Sequence, residues 1–227
     1  MVTARGEKIL IAGATGGIGR AVAAEAARRG YECVLAARDW AAVEAVRAAL
    51  PQPDVHRTAV MDFACGDSLE LDLMRLFTAE GPFRAAVYAA GVCPVKPLAR
   101  LEGALFEETM RVNCTGFVMM VKAFAAQGAH TERAAAVAVS SVSASEGWPG
   151  GAAYCASKGA LSAAARALDA ELSPKGIKVA ALEPRYVLTR MFRGCAGRMG
   201  VPEAAAMPPE TFAQEVMDRV ESGLRGA

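Results

Sequence analysis

Apolar residues gather along the chain in short aliphatic or β-branched runs, separated by longer alanine-rich stretches in which apolar positions recur at helical spacing. The runs predict strands at 8–13, 32–37, 55–60, 84–90, 134–140 and 175–182. The stretches between them predict helices at 17–29, 40–50, 67–80, 101–127 and 150–172, with a last helix at 209–222. Strands alternating with helices argue for parallel pairing through crossover helices on both faces. Right-handed crossovers then leave a doubly wound α/β sheet of about six strands, in the order 3-2-1-4-5-6. Residues 190–209 break the pattern with Gly194, Gly197, Gly200, Pro202, Pro208 and Pro209, and predict a mobile surface loop with a short helix.

Composition narrows the class. The chain has 227 residues, 53% of them hydrophobic and 22% charged, enough to bury the core of one domain. Lys plus Arg number 25 against 24 Asp plus Glu, which lacks the basic footprint of a nucleic-acid binder. No apolar run approaches the roughly 18 residues of a membrane helix, so a soluble protein without membrane partners is expected. The six cysteines form no CxxC and stand far apart in sequence; with two lone histidines they give no metal-ligand spacing. A reducing, cytoplasmic setting is the corresponding expectation.

The first strand runs into Gly13-Ala14-Thr15-Gly16-Gly17-Ile18-Gly19, and an amphipathic helix follows. Glycines there permit a tight turn and let backbone N–H groups at a helix N-terminus approach a pyrophosphate. After the second strand comes Ala37-Arg38-Asp39. Arg38 can pair with a 2′-phosphate while Ala37 brings no repelling charge, which favours NADP(H) over NAD(H); the plainer reading is a solvated turn arginine. Asp39 suits a helix cap better than a ribose contact. Asp62, at the end of the third strand, is either an acceptor for an adenine amino group or an ordinary turn aspartate.

Tyr154 and Lys158 stand four apart on a predicted helix and so project from one face. A nearby cation makes a phenol a better proton donor and acceptor near neutrality. Ser141 lies thirteen residues earlier, just beyond the fifth strand, at the sheet end where ligands of such folds bind. Asn113 interrupts the longest predicted helix, a poor place for a short amide unless it bonds something.

In order and spacing, the glycine loop, Asn113, Ser141, Tyr154 and Lys158 resemble the classical short-chain dehydrogenase/reductase family over most of the chain. The family's TGxxxGxG reads here Ala12-Gly13 through Gly17-Ile18-Gly19, and its YxxxK is Tyr154 to Lys158. The resemblance implies a Rossmann fold occupying the whole chain, binding NADP, with NAD less favoured. Tyr154 would be the general acid/base. Lys158 would lower its pKa and hold the nicotinamide ribose, Ser141 would position the substrate oxygen, and Asn113 would anchor a relay water. Pro184, Val187 and Thr189 match the segment that meets the nicotinamide, with Arg185 in place of a glycine. Ala90 and Gly91 close Tyr88-Ala89-Ala90-Gly91, where the family has NNAG, so an asparagine that ties strands together is lost; Ala12 likewise replaces a threonine.

The implied reaction is reduction of a ketone or aldehyde, or its reverse, on a small or medium apolar substrate. Whether that is a 3-oxoacyl thioester or a steroid, quinone or sugar-type carbonyl stays open. Met191, Phe192, Met199 and Met207 are expected to line the substrate side. The family's final strand is expected to be missing. Phe106, Met110, Phe117, Met120, Phe124 and the 150–172 helix offer apolar faces for a homodimer. The competing reading is a catalytically silent dinucleotide-binding regulator or scaffold.

Overall fold

The computed structural model describes residues 6–127 and 133–225, apart from the side chains of Gly66 and Asp67. Its six strands are β1 (Lys8–Ala12), β2 (Glu32–Ala37), β3 (Arg57–Val60), β4 (Phe83–Tyr88), β5 (Ala134–Val139) and β6 (Ile177–Leu182). They pair in parallel in the order β3-β2-β1-β4-β5-β6, as the alternation of runs and helices requires. Because side chains alternate across a strand, β1 sends Leu10 and Ala12 to one face and Ile9 and Ile11 to the other.

The first face is covered by α3 (Gly66–Glu80), α4 (Gly103–Met110), α5 (Gly116–Ala125) and α6 (Ala152–Leu172). Phe77, Phe83, Phe117, Phe124 and Leu161 fill it, each buried, and each such side chain stabilises the fold by about 1.5–3 kcal/mol. The second face carries α1 (Gly17–Arg28), α2 (Trp40–Ala48) and α8 (Pro209–Arg225). There α8 buries Phe212, Val216, Met217 and Val220. Arg29 ties α8 to the end of α1, with its guanidinium 2.7 Å from Glu25, 2.8 Å from Asp218 and 3.1 Å from Glu221.

Two local expectations are revised. β3 begins two residues late because Gln52, at φ 53°, and Pro53 start a 3-10 turn at Pro53–Val55. The helix expected at 101–127 is divided by a π-turn at Arg111–Thr115. The short helix expected within 190–209 is α7 (Arg190–Met199), which takes up the first half of that segment. Gly194 and Gly197 face open space, so they cost propensity without breaking it. Phe117, Met120 and Phe124 lie in the chain's own core, whereas Phe106 and Met110 are half-buried.

Candidate active site

Both halves of the site lie beyond the carboxyl ends of the strands. At the β1 end, Gly13 has φ +79°, and a Cβ there would stand 2.5 Å from the Ala90 nitrogen. A Cβ on Gly17 would meet the Thr189 methyl at 2.7 Å. The chain therefore turns into α1 at a spot that excludes side chains, with Gly16 at the helix N-cap and no side chain satisfying its first N–H groups. Beside this turn is a cavity of about 580 Å³ whose wall includes Gly13, Thr15, Gly16, Gly17 and Ile18. Unpaired N–H groups and a helix N-terminus facing a cavity of this size fit a dinucleotide phosphate. Gly19 is not on that wall; it packs behind the loop against the Gly13 carbonyl.

Arg38 is exposed and lines the same cavity, as do Ala37 and Asp62. Asp39 caps α2 by accepting from the Ala42 N–H at 3.0 Å, the role its position suggests. Asp62 accepts from the Ala64 N–H at 3.0 Å, so one carboxylate oxygen already closes a turn. Ala90 and Gly91 form part of the wall shared with the second cavity.

That second cavity is smaller, about 120 Å³, and brings Ser141, Tyr154 and Lys158 together. Hydrogen bonds from Ser140 and Asn113 fix α6 beneath it. Ser140 bonds Ser162 at 2.8 Å and the Lys158 carbonyl at 3.3 Å. Asn113 donates to Ser157 at 2.8 Å, and Ser157 donates to the Tyr154 carbonyl at 2.7 Å. The Ser141 hydroxyl lies within hydrogen-bonding reach of the Tyr154 phenol while accepting from the Ser143 N–H at 3.1 Å.

Asn113 and Lys158 are each tied to main-chain groups. Asn113 is fully buried, and its side chain is spent: Oδ1 accepts from the Val92 N–H at 2.8 Å, and Nδ2 donates to the Val92 carbonyl at 2.9 Å as well as to Ser157. It clamps the loop after β4 to α6 and lines neither cavity. The π-turn makes this possible by swinging Asn113 inward. Tyr88 donates to the Val112 carbonyl in the same turn, tying the end of β4 to it.

Burial pushes the Tyr154 pKa above its ordinary value, helped by the nearby Cys93. The Lys158 Nζ donates to the Val139 carbonyl at 2.7 Å and sits 5.7 Å from the centre of the Tyr154 ring. Burial lowers its own pKa to about 8. The phenol is thus held protonated at neutral pH.

Pro184, Val187 and Thr189 line the smaller cavity; Thr189 also caps α7, accepting from the Phe192 N–H at 3.1 Å. Val187 forms a parallel bridge with Met207, so the excursion holding α7 starts and ends at one point. This places Met207 against the core beneath the sheet's second face, whereas Met191, Phe192 and Met199 do line the cavity. Arg185 is committed to a two-toothed ion pair with Glu146, at 2.8 and 3.2 Å. Sequence reading passed over Trp148, Tyr186, Cys93 and Cys195, all on the cavity wall. Only Trp148 carried a signal, as an aromatic set among Gly147, Pro149, Gly150 and Gly151; it packs on Gly151 and donates to Ser143 at 3.2 Å.

Residues 7–198 match the family model described as short chain dehydrogenase. The chain belongs to the short-chain dehydrogenase family. It is an oxidoreductase of C–OH and C=O groups that works with NAD(P). Similar proteins include the 3-oxoacyl-[acyl-carrier-protein] reductase FabG of Haemophilus influenzae, 27% identical over 82% of this chain and 76% of that one. The D-erythrulose reductase of Gallus gallus is 30% identical over 83% of this chain and 74% of its own length. Among short-chain dehydrogenase folds, a structure from Beutenbergia cavernae with bound NADP at low occupancy superposes with a TM-score of 0.85 at 23% identity, covering 96% of this chain and 92% of that one.

Proposed function

We propose that the protein is an NADP(H)-dependent reductase of small apolar ketones or aldehydes, the whole chain acting as one cofactor-binding domain. The glycine turn and the N-terminus of α1 hold the pyrophosphate, and Arg38 pairs with the 2′-phosphate; the cradle that no Cβ can enter supports this fit. Lys158, beside Gly91 where the cavities join, holds the nicotinamide ribose. The dinucleotide, when bound, supplies the hydride.

Ser141 orients the substrate oxygen by donating to it, since its lone pair already accepts from Ser143. Tyr154 gives that oxygen a proton as negative charge develops there. The observation that carries the reading is the convergence of Ser141, Tyr154 and Lys158 on one wall, with the phenol kept protonated by burial.

The apolar character of the substrate rests on the remaining wall: Trp148, Met191, Phe192 and Met199 face the catalytic hydroxyls, and Arg185 is already paired. A polyol such as erythrulose would leave several hydroxyls without partners there, at a cost of about 1–3 kcal/mol each. The test is NADPH consumption followed by absorbance over apolar ketones, aldehydes, 3-oxoacyl thioesters, quinones and sugars. Turnover highest on small apolar carbonyls is expected. Dinucleotide binding with no turnover on any class would instead mark a silent scaffold.

A further inference from the structure

Cys93 and Cys195 are 102 positions apart in sequence, yet their sulfurs lie 3.5 Å from each other, and both line both cavities. Cys93 follows Val92, whose N–H and carbonyl are both gripped by Asn113, so its backbone is anchored. Cys195 sits in the middle of α7, buried, with its thiol 3.0 Å from the Met191 carbonyl one turn earlier. α7 belongs to an excursion joined at its base by the Val187–Met207 bridge. A disulfide bond is about 2.05 Å long, so side-chain rotation and a small shift of α7 close the gap. All six cysteines are free, and no other sulfur–sulfur approach occurs among the described residues.

We propose that Cys93 and Cys195 are a thiol–disulfide modification site, oxidised by hydroperoxides, whose bond staples α7 to the loop after β4 across the mouth common to both cavities. The pair is built for the first step. The two sulfurs face each other at 3.5 Å, and sharing one proton between them leaves the Cys195 thiol more acidic than usual and the Cys93 thiol less so. The Cys195 thiolate attacks one peroxide oxygen, the O–O bond breaks, and hydroxide leaves a sulfenic acid on Cys195. The Cys93 sulfur then attacks the Cys195 sulfur, the S–O bond breaks, and the hydroxyl departs as water with the Cys93 proton. Two thiols lose two electrons in total, and the peroxide becomes two waters. Cys93 is only half-buried, which leaves the pair reachable from the cleft.

The bond itself is independent of the reaction assigned above; its effect on turnover rests on that reading. The test treats the full chain with hydrogen peroxide, blocks remaining thiols with N-ethylmaleimide and maps peptides by mass without reduction. A Cys93–Cys195 pair lighter by two hydrogens, reversed by dithiothreitol and lost in Cys195→Ser, is expected. Both thiols alkylated, or oxidation that joins other cysteines instead, would overturn the proposal. The staple is read separately by trypsin, since Arg190, Arg193 and Arg198 all lie on α7. Cleavage there should slow at least about fivefold on oxidation in the wild type and less than about twofold in Cys195→Ser. Equal cleavage of the oxidised and reduced wild type would refute the staple, whether or not any carbonyl is turned over. Where turnover is present, it should fall at least about tenfold on oxidation and return with dithiothreitol.

Discussion

The two ends of the cleft are built from different materials. The dinucleotide end is made of backbone: Gly13 at positive φ, Gly17 against Thr189, and the uncapped start of α1 around a large, open space. The chemical end is made of side chains, with Ser141 and Lys158 buried and Tyr154 half-buried, in a space about a fifth as large. A substitution at the first end therefore alters the chain's path, and one at the second removes a functional atom while leaving the path intact. The first should appear in melting and binding, the second in rate.

The largest effect is expected at the chemical end. Tyr154→Phe should lower kcat about 10²–10⁴-fold while NADPH affinity and Tm stay near wild type; a matching fall in Tm would erase the contrast between the ends. Gly13→Ala adds a Cβ at positive φ into the Ala90 backbone. It should cost about 3 kcal/mol, or about 6–12 °C in Tm, and an unchanged melt would show that the turn is not as tight as its geometry.

Lys158 sharpens the comparison through pH. Its folded pKa of about 8 lies below the ordinary 10.5, so between those values the unfolded chain binds more protons and stability rises with pH. Below pH 8 both states are protonated, and the buried charge costs about 3 kcal/mol. Urea unfolding should therefore find the wild type gaining stability relative to Lys158→Met from pH 8 to 10.5. Groups that do not interact with Lys158 titrate alike in both proteins and so cancel in the difference. At the dinucleotide end, Arg38→Ala should weaken NADP⁺ binding about 10–100-fold and leave NAD⁺ nearly unchanged, as measured by calorimetry. The smallest effect is assigned to Tyr88→Phe, which strands the Val112 carbonyl in the π-turn and should cost about 1–2 kcal/mol in chemical denaturation.

Much of this was legible in the sequence because it depends on short-range pattern. Aliphatic runs such as Lys8–Ala12 and Ala134–Val139 cannot be surface helices, and their alternation with helices leaves little choice of topology. The glycine turn, Ser141, Tyr154 and Lys158 could be found because each occupies a fixed distance from an element's end. What escaped depends on tertiary context. The π-turn at Arg111–Thr115 is one extra residue in an otherwise helical pattern, invisible until Tyr88 and Asn113 find their partners. The extent of α7, though not its presence, was obscured by glycines that meet only open space. The Cys93–Cys195 approach joins two segments that no local pattern relates. The direction of the Lys158 hydrogen bond, toward Val139 and not toward the phenol, follows from burial that spacing alone does not encode.

The central claim is that this cleft moves a hydride onto a carbonyl carbon while the protein protonates the oxygen. It is tested most directly with NADPH dideuterated at the nicotinamide C4 and the best apolar ketone from the panel, with the product read by mass spectrometry. One deuterium on the carbinol carbon of the alcohol is predicted. An alcohol without deuterium at that carbon, or consumption of NADPH with no alcohol formed, would contradict the account.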